Sequence, residues 1–211
     1  MPKTDQFNSF AEEYEEWFDK ERKTYEMELD AVRKLLPEKG KGIEIGSGTG
    51  RFSLPTGIRI GVEPSHSMGR IALEKGLDVI EGVAESLPVV SNSFDFVLFN
   101  TVICFLDSLR SSLLECYRIL RPGGVVLVGF IDKESYLGNI YNKKKDDSRF
   151  FKKAVFYSVP EVKMLLEESG YHSFEFVQTL IHGKKDKFIS EKILSGYGVG
   201  SYVVIKGIKN F

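Results

Sequence analysis

Between residues 42 and 131, five short apolar runs alternate with stretches of helical spacing, and no other feature limits the fold of this chain so strongly. The runs lie at 42–46, 59–62, 78–81, 94–99 and 125–131. Ser65 can cap a helix that carries Met68, Ile71 and Ala72 and stops at Gly76. A second helix, marked by Leu109, Leu113, Cys116 and Leu120, ends at the Arg-Pro-Gly-Gly sequence of 121–124. Only residues 51–58 separate the first two runs, and Pro55 and Gly57 interrupt them, so any helix there is short. This alternation predicts a parallel sheet covered by helices on both faces, with ligands bound beyond the carboxyl ends of its strands.

The flanks read differently. Phe7, Phe10, Ala11, Tyr14, Trp17 and Phe18 recur at three- and four-residue spacing, which predicts one amphipathic helix over 6–20. Tyr25, Leu29, Val32 and Leu36 mark another, stopped by Pro37. Towards the C-terminus, Ser158 and Glu161 have capping-box spacing before Val162, Leu165 and Leu166, and two apolar strands are expected at 174–181 and 201–205. With 211 residues, 42% hydrophobic and 28% charged, the chain suits one α/β domain over 1–211. No apolar run approaches the roughly 20 residues of a membrane span. Met1-Pro2-Lys3-Thr4-Asp5 resembles no signal peptide, so a cytoplasmic protein without a membrane partner is expected, as a monomer or homodimer. Cys104 and Cys116 read as reduced core thiols, and His66, His172 and His182 form no ligand set, so no metal is expected.

A formal net charge of −1 provides no field to gather nucleic acid, and none is expected as a partner. The charge is nonetheless uneven. Residues 1–30 hold ten acids against four bases, whereas 133–153 hold seven bases against three acids. Either these are solvated faces, or two oppositely charged flaps flank one site.

At 42–50 the sequence is Gly42-Ile43-Glu44-Ile45-Gly46-Ser47-Gly48-Thr49-Gly50, an apolar run opening into alternate glycines. Such a loop is either a plain tight turn or a place where backbone amides approach a ligand. Seventeen residues after Gly46, at the end of the second run, stands Glu63 in Gly61-Val62-Glu63-Pro64-Ser65. A carboxylate there is placed to accept both ribose hydroxyls of a nucleoside lying over the loop. A nicotinamide-dependent oxidoreductase shares that logic, but its Gly-x-Gly-x-x-Gly fingerprint puts the third glycine one residue later than Gly50.

Five blocks in order carry a resemblance: 44–50, 61–65, Ala84-Glu85-Ser86-Leu87-Pro88, Ser93-Phe94-Asp95-Phe96-Val97 and 115–124. With them the chain, from Tyr14 to about Ile205, resembles the class I S-adenosylmethionine-dependent methyltransferases, in particular the small stand-alone enzymes similar to the ubiquinone-biosynthesis methyltransferases. The resemblance implies a Rossmann-like, seven-stranded, mostly parallel sheet with an antiparallel last strand, and S-adenosyl-L-methionine converted to S-adenosyl-L-homocysteine. It implies that Gly46, Ser47, Gly48 and Gly50 surround the methionine part, with Glu44 near its ammonium group. Glu63, flanked by Pro64 and Ser65, would take the ribose; Val83, Ala84 and Glu85 would line the adenine; Asn100, Thr101 and Val102 would lie near the sulfonium. Residues 1–38 would form a helical lid, with Tyr14 and Trp17 either closing over the cofactor or packing in the core.

The chain departs from that family at three places. Val83 stands where relatives often have an aspartate, the helix after the glycine loop is curtailed, and Ile103-Cys104-Phe105-Leu106 replaces histidines common after the fourth strand. No ready general base appears. Because a sulfonium is already activated, alignment and exclusion of water suffice for a neutral amine or thiol. For an oxygen or carbon acceptor, Tyr14, Asp132 and Tyr136 are the candidate bases, or else plain surface residues. The segment 132–157, rich in Lys, Tyr and Phe, is expected to cover a small-molecule methyl acceptor. A non-catalytic S-adenosylmethionine sensor or partner subunit is the remaining alternative.

Overall fold

The computed structural model describes residues 4–182, 188–190 and 192–210; the first three residues of the expected lid lie outside it. Among the described residues ten strands form: β1 (Gly42–Ile45), β2 (Ile60–Glu63), β3 (Asp78–Glu81), β4 (Phe94–Asn100), β5 (Leu120–Ile131), β6 (Tyr171–Thr179), β7 (Ile181–His182), β8 (Phe188–Ser190), β9 (Leu194–Ser195) and β10 (Tyr202–Lys209). The helices are α1 (Asp5–Ser9), α2 (Ala11–Lys20), α3 (Arg22–Leu35), α4 (His66–Glu74), α5 (Leu109–Ile119), α6 (Tyr136–Lys144) and α7 (Val159–Glu168).

The main sheet runs β3-β2-β1-β4-β5-β10-β6-β9, parallel from β3 to β5 and antiparallel where β10 meets β5 and β6. It has eight strands rather than the expected seven. The addition is β9, a two-residue edge paired through Leu194 and Ser195 to Gln178 and Val177. Both faces of the centre are buried. Val97 and Phe99 of β4 pack with Leu113, Cys116, Val162 and Leu166 on one side, while Phe96 and Leu98 pack with Val32 and Phe18 on the other. That double burial is why β4 and β5 read as continuous apolar runs.

Ser65, Ser108 and Ser158 cap α4, α5 and α7, the last in a full capping box with Glu161. The stretch after the glycine loop contains only a single 3-10 turn, Leu54–Thr56, closed by left-handed Gly57. The expected helix over 6–20 is broken into α1 and α2 at Phe10. Long-range contacts at the break account for this: the Arg149 guanidinium lies 4.5 Å from the Phe10 ring, and Asn8 Oδ1 accepts from Ser65 Oγ at 2.8 Å. The two charged segments meet across this break, with Arg149 paired to Glu13 and Lys153 to Asp5. On its other side α2 is tied to the glycine loop and α4 by Glu15, which pairs with Arg51 and Lys75.

Candidate active site

Beyond the carboxyl ends of β1, β2 and β4, a cavity of about 350 Å³ opens under α1 and α2. The glycine loop forms its floor. Gly46 holds φ +70°, a backbone conformation natural to glycine, and a Cβ there would overlap Val102 Cγ2. The amides of Gly46 and Ser47 both donate to Val62 O, which fixes the loop to β2. Glu63 is braced by two backbone donors, Gly48 N and Ser65 N, each at 2.8 Å. Burial nevertheless raises its pKa to about 7.

The end of β4 supplies a second kind of group. Tyr202 donates its hydroxyl to Asn100 Oδ1, leaving Asn100 Nδ2 a buried donor without a partner among the described residues. Thr101 follows at φ +53°, unusual for a non-glycine residue, with its N–H held by Gly129 O at 2.8 Å. Gly129 is required here because a Cβ would collide with both Tyr202 Oη and Asn100 Oδ1.

Of the residues expected at a cofactor, Tyr14, Gly46, Gly48, Glu63, Pro64, Val83, Ala84, Glu85, Asn100, Thr101 and Val102 line this cavity. Glu44, Ser47, Gly50 and Ser65 do not. Glu44 is buried beside the cavity, accepts from Ser53 Oγ and is raised to about 8 by burial, with its charge felt by Tyr14. Ser47 is buried against Gly61, Gly50 packs towards Leu54 and Ala72, and Ser65 is spent capping α4. The Glu85 carboxylate accepts from Asp107 N and Ser108 N, bracing the start of α5. Asp107 itself, not expected from the sequence, shares the cavity wall with Val83.

A second cavity, of about 140 Å³, shares Phe7, Tyr14, Thr101 and Phe105 with the first. Its remaining wall is mainly aromatic, from α2, Phe52, Phe130 and 141–157, with Ile103, Cys104 and Ile131 among them and Glu28 of α3 as its one carboxylate. The three expected bases fare differently. Tyr14 reaches both cavities, and burial and the nearby Glu28, Glu63 and Glu44 hold its phenol well above its ordinary pKa, so it is protonated at neutral pH. Asp132 and Tyr136 line neither cavity. Asp132 accepts from Glu134 N in the turn after β5, and Tyr136 stacks on His182 with ring centroids 4.8 Å apart. Trp17 lines the second cavity only.

Sequence reasoning missed Glu28, although one signal was present. It stands in the apolar stripe Tyr25, Leu29 and Val32, on the buried side of its helix. Among the described residues no cluster could hold a metal ion, and no helix is long and apolar enough to cross a membrane.

A family model described as a methyltransferase domain matches residues 43–128. The chain is 46% identical to a crystal structure from Thermotoga maritima described as a SAM-dependent methyltransferase, possible histamine N-methyltransferase. That likeness covers 98% of this chain and all of the other, with a TM-score of 0.93. It is also 40% identical to an uncharacterized protein of Methanocaldococcus jannaschii, over 96% of this chain and 98% of the relative. A malonyl-[acyl-carrier protein] O-methyltransferase of Methylococcus capsulatus is 30% identical over 115 residues, 49% of this chain and 42% of that enzyme.

Proposed function

The chain belongs to the S-adenosylmethionine-dependent methyltransferases, and from that premise we propose that it methylates a small molecule held in the second cavity by a cofactor held in the first. The observation that carries this reading is the shared wall: Phe7, Tyr14, Thr101 and Phe105 border both spaces, so two ligands would meet there. The residues present suit the cofactor. Glu63 supplies acceptors for the ribose hydroxyls, and Asn100 Nδ2 offers its unused donor to the methionine end. Gly46 and Gly48 let the backbone come close. Val83 and Ala84 give the adenine an apolar wall, to which Asp107 adds the polar group that Val83 lacks.

When bound, S-adenosylmethionine supplies an electrophilic methyl group whose leaving group is a neutral thioether. The chain's own contribution is then positional. Tyr14 and Phe7 roof the junction, exclude water and align the acceptor for in-line displacement, which needs no acid on the leaving side.

Thermal unfolding tests the cofactor. At 100 times its dissociation constant S-adenosylhomocysteine should add roughly 2.7 kcal/mol, and at ~2 to 4 °C per kcal/mol the midpoint should rise by roughly 5 to 11 °C. NAD at the same concentration should leave it unmoved; a shift with NAD alone sinks the reading. Glu63→Ala should weaken S-adenosylhomocysteine at least about tenfold in calorimetric titration, from the loss of two charge-assisted hydrogen bonds. Its circular dichroism should not change. Equal affinity in the variant would show that the ribose lies elsewhere.

A further inference from the structure

We propose that the methyl acceptor is a small amine, which enters the second cavity as a cation, sits in its aromatic wall and is held by the carboxyl of Glu28. This deepens the proposed function and rests on it. Glu28 is only 4% exposed, and among the described residues it makes no hydrogen bond or ion pair. A buried acid left without a partner is costly unless something charged or hydrogen-bonding joins it. The same cavity is lined by the rings of Trp17, Tyr141, Phe151 and Phe156, groups that attract an ammonium through their quadrupoles.

The competing acceptors fit less well. No lysine or arginine lines this cavity among the described residues, so a carboxylate or phosphate would meet Glu28 uncompensated. A neutral alcohol would leave the aromatic wall without its preferred charge. Size sets a further limit, since a cavity of ~150 Å³ in another protein just holds benzene. The amine's substituent is therefore no larger than about that bulk.

The same carboxyl closes the proton balance. An ammonium must lose a proton before its nitrogen can attack; Glu28 releases its own proton to solvent as the cation binds beside it, and the resulting carboxylate then receives the ammonium's. The freed pair forms the N–C bond as the C–S bond breaks, the sulfur keeps the bonding electrons, and the products are the N-methylated ammonium and S-adenosylhomocysteine. Burial raises Glu28 to about 8, much nearer to an alkylamine than an exposed carboxylate would be, which eases that transfer. Tyr141, pushed up to about 12 by burial and by Glu28, stays neutral.

Trp17 is the only tryptophan in the chain and lines the cavity, so its fluorescence reports occupancy without any cofactor. Benzylamine should change the emission of the wild-type protein at least tenfold more tightly than its isosteres benzyl alcohol and benzoate. With labelled S-adenosylmethionine, a panel of alkyl- and arylalkylamines should yield methylated amines. Glu28→Gln should raise the KM for the amine at least tenfold while S-adenosylhomocysteine binds as before. Equal binding of the isosteres, transfer only to hydroxyl or carboxylate acceptors, amine binding without transfer, or an unchanged KM in a folded Glu28→Gln protein would each overturn the assignment. Should that variant not fold, the wild-type isostere comparison decides alone. Loss of the cofactor reading would appear separately, as the missing thermal shift with S-adenosylhomocysteine.

Discussion

Gly46→Ala is expected to abolish measurable S-adenosylhomocysteine binding and to lower the melting temperature by about 6 to 12 °C, from a loss of ~3 kcal/mol. Two costs combine. An alanine at φ +70° pays the left-handed penalty of about 1 to 2 kcal/mol, and its Cβ must displace Val102, whose side chain fills the space against Gly46. Val102 lines the cavity, so its displacement intrudes where the methionine end would lie. Gly57→Ala is the control. Gly57 holds a similar φ of +80° but has open space beyond it, so only the backbone cost of about 1 kcal/mol should appear, with cofactor affinity intact. Calorimetric titration of both variants separates the contributions; equal affinity in Gly46→Ala would remove the glycine loop from the site.

The second large effect is on pH. Glu28 and Glu44 are both raised to about 8, chiefly by burial, from an ordinary 4.5. A carboxyl with a raised native pKa favours folding while it is protonated, and that contribution is lost as pH climbs through the native value. Between pH 6.5 and 9 each should cost about 2 kcal/mol, or about 4 kcal/mol together. At 2 to 4 °C per kcal/mol the melting temperature should fall by roughly 8 to 16 °C. Glu44→Gln keeps an acceptor for Ser53 Oγ and removes the charge, so it should lessen the fall by about 4 to 8 °C and raise the melting point at pH 9, the remainder coming from Glu28 and from Glu63, itself raised to about 7. A melting temperature that is level across this range, or an unaltered slope in the variant, would contradict the burial argument.

The doubly wound half of the fold was legible because local and global signals agree there. β4 is apolar on both faces, and α4 and α5 carry the capping serines Ser65 and Ser108, with Gly76 just past the end of α4. What escaped sequence reasoning depends on distant contacts. The break at Phe10 follows from Arg149 and Ser65, and nothing within 6–20 announces it. β9 has two residues, too few to show alternation. Within the site, Glu63 and Asn100 were identifiable because a strand end locates them. Asp132 also ends a strand, yet its carboxylate turns back to the chain and never reaches the cavity. Position at a strand end gives the neighbourhood of a side chain but not its direction. Glu28 and the aromatic residues of 141–157, far apart in the chain, come together only as the wall of one cavity in the folded protein.

The place of β10 in the sheet has a consequence for how this protein must come into being. Tyr202–Lys209 fills the gap between β5 and β6, two strands that precede it by at least 22 residues and cannot pair with each other across it. Until it arrives, each presents a bare, apolar edge to any other chain nearby, the situation in which strands pair wrongly and aggregate. The register is then locked at the far end by Lys209, whose ammonium donates to the carbonyls of Tyr117 and Leu120 and to Asn92 Oδ1. A nascent chain from which residues 202–209 have not yet emerged therefore displays an unfinished sheet, and the arrival of β10 joins its two halves.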